Sequence, residues 1–360
     1  MQKSFKINSS ISSYKLTIDC QCFSYLQNLK DNYVIIIDEN LFLKNQHFLQ
    51  QFQNIVRITA TEEIKDLSNI SNVISSVKQF SLQKSDILIG IGGGIIQDIT
   101  CFVASIYMRG VDWIYFPTTF LGICDSCIGG KSSINVNGVK NLVGNFYPPK
   151  EIMIDFSFLN SLDDTQIDSG ICEALKICFA YHENKALTDF YDLYKEKNNH
   201  YLQNITFLSL EIKKWFIEKD EFDKNERKLL NFGHTFGHAI ESESQYKVPH
   251  GIAVGFGMIW AIAMSNIYFQ NIKHSRIIIL LEILKSILKK HTHFCFIINN
   301  LSVEGIYNAF VLDKKHQNKF FNCILINQDG FLIIKSFEKN EEFIRNFKSS
   351  YEQLKKIVLQ

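Results

Sequence analysis

Two histidines stand four apart in LLNFGHTFGHAIE, His234 and His238, inside an apolar run of helical texture. Residues at i and i+4 share one face of a helix. Such a pair can offer imidazole nitrogens to a metal, relay a proton, or simply pack in a core. Type and spacing leave open whether both, one or neither binds a metal.

Far upstream, GIGGGIIQD sets Gly92, Gly93 and Gly94 between an apolar strand and a helix. Glycines let the backbone approach a phosphate, and the helix start supplies N–H groups and positive potential. The stretch is not a full GxGxxG, because Ile95 takes the place of the third glycine. The competing reading is a tight strand–helix turn. GGKSS, Gly129 to Ser133, carries only part of the P-loop pattern, since GxxxxGK needs a glycine where Asp125 stands. A glycine pair before Lys131 can still hold an oxyanion. CDSC, Cys124 to Cys127, has the spacing of a zinc or redox pair, but no second CxxC accompanies it, and buried thiols are expected.

The elements that must position these residues change character along the chain. YVIIID (Tyr33 to Asp38), DILIGIGGG (Asp86 to Gly94), WIYFPTT (Trp113 to Thr119) and IMID (Ile152 to Asp155) read as buried strands. Segments of helical length such as LSNISNVISSVKQFSL lie between them, which implies a parallel sheet with helices on its faces. After about Leu159, long helical patterns dominate, among them QIDSGICEALKICFAY, NFGHTFGHAIES and GIAVGFGMIWAIAMSNIYF, and EEFIRNFKSSYEQLKKIVLQ reads as a closing helix. The expectation is an α/β domain with a parallel sheet over residues 1–158, then a mostly α-helical domain over residues 159–360.

Bulk properties agree. A chain of 360 residues exceeds one small core and fits two domains. A net charge of +1, with no basic stripe carrying interleaved aromatics, gives no reason to expect a nucleic acid partner. The N-terminus lacks the apolar stretch of a signal peptide, and the apolar runs are broken by polar residues, so a cytosolic protein without a membrane span is expected. Nine scattered cysteines, an odd number in a large chain, fit that compartment.

GGGIIQD, YMRGVDWIYFPTT, DSCIGGKSSIN, KNLVGNFYPP, ICEALK, LLNFGHTFGHAIE and PHGIAVGFGM follow one another in this order. Together they resemble the 3-dehydroquinate synthase family of sugar-phosphate cyclases, from roughly Asp38 to Asp313. The resemblance implies a nucleotide-binding α/β domain followed by a helical metal-binding domain. It also implies NAD, one divalent metal (zinc or cobalt), a homodimer, and a phosphorylated keto-acid sugar as substrate in the shikimate route to aromatic amino acids. The family reaction eliminates phosphate and closes a carbocycle, with NAD recycled.

Residue by residue, the resemblance makes Glu173, His234 and His250 the metal ligands and leaves His238 as a proton relay facing the substrate phosphate. Lys131, Asn141 and Arg109 match phosphate-holding positions, joined by Lys314 or Lys315 of DKK, with Lys315 the one expected. Asp125 matches a substrate-hydroxyl contact, and Asn231 a further substrate contact at the start of the histidine helix. Lys176 lies one turn after Glu173, and Asp223 stands at a proton-acceptor position usually held by glutamate. Lys213 and Arg227 match the pair that grips the substrate carboxylate, the alternative being that both face solvent. For NAD the matches are Asp38, Asn40, Glu62, Lys65, Gly93, Gly94, Ile95, Asp98, Thr118, Thr119, Lys140, Phe158 and Ser161.

The chain departs from the family pattern in places. HGIAV replaces the usual HGEAV at Ile252, CDSCIGGKSS replaces VDSSVGGKTG, and Ser169 stands where some members have asparagine. These departures suit a divergent member, and two other readings stay open: a related cyclase making another carbocycle, and a metal-dependent polyol dehydrogenase. The dehydrogenase would consume NAD and has no need of Lys131, Asn141 and Arg109.

Overall fold

YVIIID and ILIGIG are apolar without alternation, the pattern of strands covered on both faces, and each is a strand with its interior buried. The computed structural model that contains them describes residues 3–18, 20–270, 272–313, 316 and 319–359. The chain forms two units, Met1–Leu162 with Lys213–Phe222, and Asp163–Ile212 with Asp223–Gln360. A single boundary after residue 158 gave no sign that Lys213–Phe222 belongs with the first unit.

In the first unit the strands are β1 (Lys3–Ile7), β2 (Tyr14–Ile18), β3 (Tyr33–Asp38), β4 (Ile55–Ile58), β5 (Ile87–Gly92), β6 (Asp112–Pro117), β7 (Ile134–Val136), β8 (Val139–Val143) and β9 (Glu151–Ile154). Seven of them make one sheet in the order β1-β2-β9-β6-β5-β3-β4, and β7 and β8 pair separately. All neighbours in the large sheet are parallel except β1 and β2. The helices are α1 (Cys22–Asn28), α2 (Glu39–Lys44), α3 (Gln46–Leu49), α4 (Leu67–Gln79) and α5 (Gly94–Ile106).

From β3 the chain moves outward to β4, then returns to the other side of β3 as β5 and continues to β6 and β9. The strand order therefore reverses between β3 and β5, whose ends are in register through Ile37 and Ile91. Doubly wound sheets take ligands outside the carboxyl ends of strands at such a reversal. At those two ends lie Asp38, the last residue of β3, followed by Glu39 and Asn40, and Gly93 and Gly94 just beyond β5.

The second unit holds α6 (Asp164–Ala180), α7 (Asn184–Glu196), the start of α8 (Tyr201–Lys219), α9 (His234–Glu243), α10 (His250–Phe269), α11 (Ser275–Leu288), α12 (Thr292–Asn300), α13 (Val303–Val311) and α14 (Glu341–Leu359). One antiparallel pair, β10 (Phe320–Ile326) with β11 (Leu332–Glu338), completes it. Helix α10 is apolar on all sides and is buried continuously from Gly251 to Ser265, as a core helix must be. Contrary to the expectation that no run approaches a membrane span, α10 is long and apolar enough, with a hydropathy of 1.6. Of that stretch 78% is buried inside the unit, and the Trp260 indole donates to Ser350 Oγ at 2.8 Å.

Candidate active site

Three helices of the second unit bring the expected metal ligands together. Glu173 is in the middle of α6, while His234 and His250 are the first residues of α9 and α10. Glycines allow this approach. A Cβ at Gly257 would meet the Gly233 carbonyl oxygen at 2.1 Å, and one at Gly251 would meet the Ser169 carbonyl oxygen at 2.2 Å. Gly233 also has φ +79°, so a side chain there would be strained as well as crowded.

The geometry at the centre is specific. Glu173 Oε1 is 3.4 Å from His250 Nε2 and 3.7 Å from His234 Nε2. Each imidazole has its Nδ1 beside an acceptor, His234 at 3.3 Å from the Phe232 carbonyl oxygen and His250 at 3.1 Å from Glu241 Oε2. With Nδ1 donating to its acceptor, Nε2 is the nitrogen that each ring turns toward Glu173. The second oxygen, Oε2, takes the Lys176 ammonium, in a pair that is almost wholly buried. Burial opposes the ionisation of Glu173, but the charges of Lys176 and His250 outweigh it and hold the carboxyl well below the usual carboxylate range. Burial favours neutral His250, yet Glu241 and Glu173 push its pKa up to about 10.

Buried Oε1 makes no hydrogen bond, although a partner is normal for a buried carboxylate oxygen. An ionised oxygen facing two imidazole Nε2 atoms fits a divalent cation, which would take the place of the proton that the two carboxylates hold on His250. His234, His238 and His250 also have nitrogens within 4.8 Å of one another, so proximity admits a three-histidine set too. His238 differs in its surroundings. It is 39% exposed and its Nδ1 is 3.7 Å from Asp313 Oδ2.

Other expected residues have environments of their own. Arg227 is buried in a 3-10 turn, Glu226–Asn231, of the second unit. Lys213 is buried in the first unit, where its ammonium donates to the Asp125 carbonyl oxygen at 2.5 Å and to its carboxylate. Neither residue faces solvent. Asn231 does not start the histidine helix; it ends the 3-10 turn, because left-handed Gly233 intervenes before His234. Asp223 has φ +60° and buries one carboxylate oxygen. Arg109 is exposed and follows Met108 in a left-handed pair, with φ +64° and +47°, the kind of strain that collects at functional sites. Lys131 follows Gly130, whose φ of +61° and contact with Pro148 exclude a side chain, and its ammonium is 5.8 Å from the centre of the Phe146 ring. Lys314 and Lys315 lie outside the described residues.

The nucleotide candidates gather in the first unit. A Cβ at Gly92 would strike Ile96 and one at Gly93 would strike Thr119, but one at Gly94 would meet nothing within 4 Å. Gly94 therefore leaves a cradle at the start of α5, beside Ile95. Thr118 donates its amide to the Gly92 carbonyl, and Thr119 Oγ1 accepts from the Gly122 amide, so both are fixed beyond β6. Asp38 caps α2 by accepting from the Asn40 amide at 2.9 Å.

Buried Lys65 is 2.7 Å from Asp98 Oδ2 and 3.8 Å from Glu62, and donates to Asn141 Oδ1 at 3.3 Å. Lys140 reaches the same Glu62 oxygen at 3.7 Å. Asn141, expected among the phosphate residues, thus belongs to a network of expected NAD residues. Burial pushes Asp98 up to about 6 against the pull of Lys65. Ser161 donates to the Phe158 carbonyl at 2.8 Å, while the Phe158 ring is packed in the core against Phe23. Its ring is therefore not a cofactor contact, and only its backbone remains for that part.

Two side chains were missed, Glu241 and Asp313. Glu241 was legible in principle, since it is seven residues after His234 and three after His238, on the same helical face. A cavity of 430 Å³ lined by Cys20, Tyr25, Lys30 and Met153 contains none of the expected residues.

The two-unit fold is shared with sugar-phosphate cyclases. It matches 2-deoxy-scyllo-inosose synthase complexed with carbaglucose-6-phosphate, NAD+ and Co2+ at a TM-score of 0.78 and 20% identity, covering 98% of this chain and 100% of that one. It matches 2-epi-5-epi-valiolone synthase from Streptomyces hygroscopicus, with NAD+ and Zn2+ bound, at 0.78 and 18% identity, covering 97% and 98%. In sequence, the N-terminal model of 3-dehydroquinate synthase matches residues 55–169 and the C-terminal model residues 170–316. The 3-dehydroquinate synthase of Clostridium acetobutylicum is 34% identical over 326 residues, covering 86% of this chain and 88% of the relative. The chain belongs to the 3-dehydroquinate synthase family, and is an enzyme of the phosphate-eliminating cyclase class.

Proposed function

We propose that the protein is a 3-dehydroquinate synthase, converting 3-deoxy-D-arabino-heptulosonate 7-phosphate to 3-dehydroquinate and phosphate. One observation carries this reading. The relative from Clostridium acetobutylicum that bears this name shares 34% of its residues, whereas the matched cyclases that make other rings share 20% and 18%. The enzyme works in the cytosol as a homodimer, in the shikimate route to aromatic amino acids, with NAD and one divalent metal, zinc or cobalt.

The orphaned Glu173 Oε1 and the two Nε2 atoms, of His234 and His250, hold the metal. Asp38, Gly93 and Gly94, at the strand reversal between β3 and β5, would hold the dinucleotide. When bound, NAD takes and returns a hydride and the metal acts as a Lewis acid. The protein's own groups do the rest. His238 takes a proton at Nε2 while Asp313 faces its Nδ1. Lys131, Asn141, Arg109 and Lys315 hold the phosphate, Asp125 a hydroxyl, and Lys213 and Arg227 the carboxylate. Lys176 keeps Glu173 ionised in its buried setting.

A second reading, a cyclase acting on a neutral sugar phosphate, has one observation in its favour. Lys213 already has Asp125 as its anion, so its burial alone does not demand a substrate carboxylate. The test is to supply the keto-acid substrate with a catalytic amount of NAD. Phosphate release with 3-dehydroquinate as product and no net NADH is the expected result. Stoichiometric NADH points to a dehydrogenase. Turnover of sedoheptulose 7-phosphate alone points to the other cyclase.

A further inference from the structure

His234 rests its Nδ1 on a backbone carbonyl, Phe232, that its own chain supplies two residues earlier. His250 instead has a carboxylate, Glu241 Oε2, at 3.1 Å from its Nδ1. The two residues are joined by a tightly folded connection. The Glu241 carbonyl accepts from the Tyr246 amide at 2.7 Å and from Ser244 Oγ at 3.0 Å. Gln245 and Tyr246 are both left-handed, with φ +52° and +60°, conformations that non-glycine residues hold only when their surroundings impose them. The backbone of Glu241 is thereby fixed at the end of α9, and its side chain, 12% exposed, meets the first side chain of α10 with little competition from water.

We propose that Glu241 is a positioning residue for the metal centre. Its carboxylate accepts the Nδ1 proton of His250, which fixes the ring's rotation and leaves Nε2 as the nitrogen directed at Glu173 Oε1, 3.4 Å away, and so the one offered to a cation. A carboxylate behind an imidazole also makes that imidazole a stronger donor to a cation. The inference rests on the reading of His250 as a metal ligand.

The experiment titrates Zn2+ and Co2+ into metal-free wild type, Glu241→Ala, Glu241→Gln and His250→Ala against a competing chelator, and records the visible absorption of the Co2+ forms. Glu241→Ala is expected to weaken binding by roughly 10- to 100-fold and to alter the Co2+ spectrum, because the ring is no longer held. Its metal-free melting temperature should stay near that of wild type, which separates positioning from a fold defect. Glu241→Gln, whose amide oxygen can still accept, should restore the spectrum and lose only part of the affinity. Wild-type affinity and spectrum in Glu241→Ala, with binding lost in His250→Ala, overturns the inference and leaves the site reading intact. Retained binding in His250→Ala overturns both. If Glu241→Ala does not fold, Glu241→Gln decides, and wild-type affinity there overturns the inference.

Discussion

Glu173 Oε1 and His250 Nε2 face each other across 3.4 Å, yet the oxygen makes no hydrogen bond. A buried carboxylate oxygen left this way costs stability, and a cation between the two atoms removes the cost. Proximity alone also admits His234, His238 and His250 as ligands, and the two sets differ in what mutation does. Dialysed Glu173→Gln, His234→Ala and His250→Ala should each lose the metal, measured as metal content per chain. His238→Ala should retain it and lose turnover. The reverse pattern, metal kept by Glu173→Gln and lost from His238→Ala, assigns the three-histidine set.

Gly94 separates folding from cofactor binding. A Cβ there meets no protein atom within 4 Å, and alanine is a better helix former than glycine. Gly94→Ala should therefore melt no lower than wild type. The added methyl group occupies the cradle, and overpacking typically costs about 1–3 kcal/mol, so NAD should bind about tenfold or more weakly by calorimetry. Unchanged affinity removes the close approach at Gly94.

Arg227 is buried, and a charge-assisted contact to a substrate carboxylate is worth roughly 1.5–3 kcal/mol. Arg227→Ala should lower kcat/KM for the keto-acid substrate by about tenfold to a hundredfold. Lys213→Ala is a different case, since it also strands the buried carboxylate of Asp125 and should reduce stability as well as rate. Equal rates for wild type and Arg227→Ala on the keto-acid would end the carboxylate assignment.

The CxxC pair should be chemically silent. Burial pushes the Cys127 thiol up to about 12, against the pull of Lys213. A raised thiol pKa means less thiolate, about one part in ten thousand at pH 8, and thiolate is the reactive form. No disulfide joins any of the nine cysteines, eight are buried, and Cys295 is half-buried. A thiol dye at pH 8 should label Cys295 first in the folded protein and all nine after denaturation. Rapid labelling of Cys124 or Cys127 in the native state contradicts their burial.

What the sequence made legible was local. YVIIID became β3 with the same bounds, and WIYFP, with Asp112 added, became β6, because doubly covered parallel strands need unbroken apolar runs. LSNISNVISSVKQ became α4, capped by Asp66. The grouping of Glu173, His234 and His250 came from the family pattern, since helical spacing alone could not choose between His238 and His250. Pairings across long separations were not legible. Lys213 with Asp125 spans 88 residues, and Lys65 with Asn141 spans 76, and nothing local marks either partner. The strands β1 and β2 were missed because KSFKI and YKLTI are short and mix charge with apolar residues, which suits β1 at the edge of the sheet, while β2 is paired on both sides.

The backbone crossing of α9 and α10 ties the Glu173, His234 and His250 cluster to a part of the chain outside it. With the Gly233 carbonyl 2.1 Å from where a Gly257 Cβ would sit, any side chain at residue 257 must drive the two helix axes apart. His234, one residue beyond Gly233, is then carried away from His250. Under the proposed ligand set, ion affinity is thus a ruler for helix spacing. Substitutions among the substrate-facing residues can drift without moving that ruler, whereas a single methyl group at this crossing resets it.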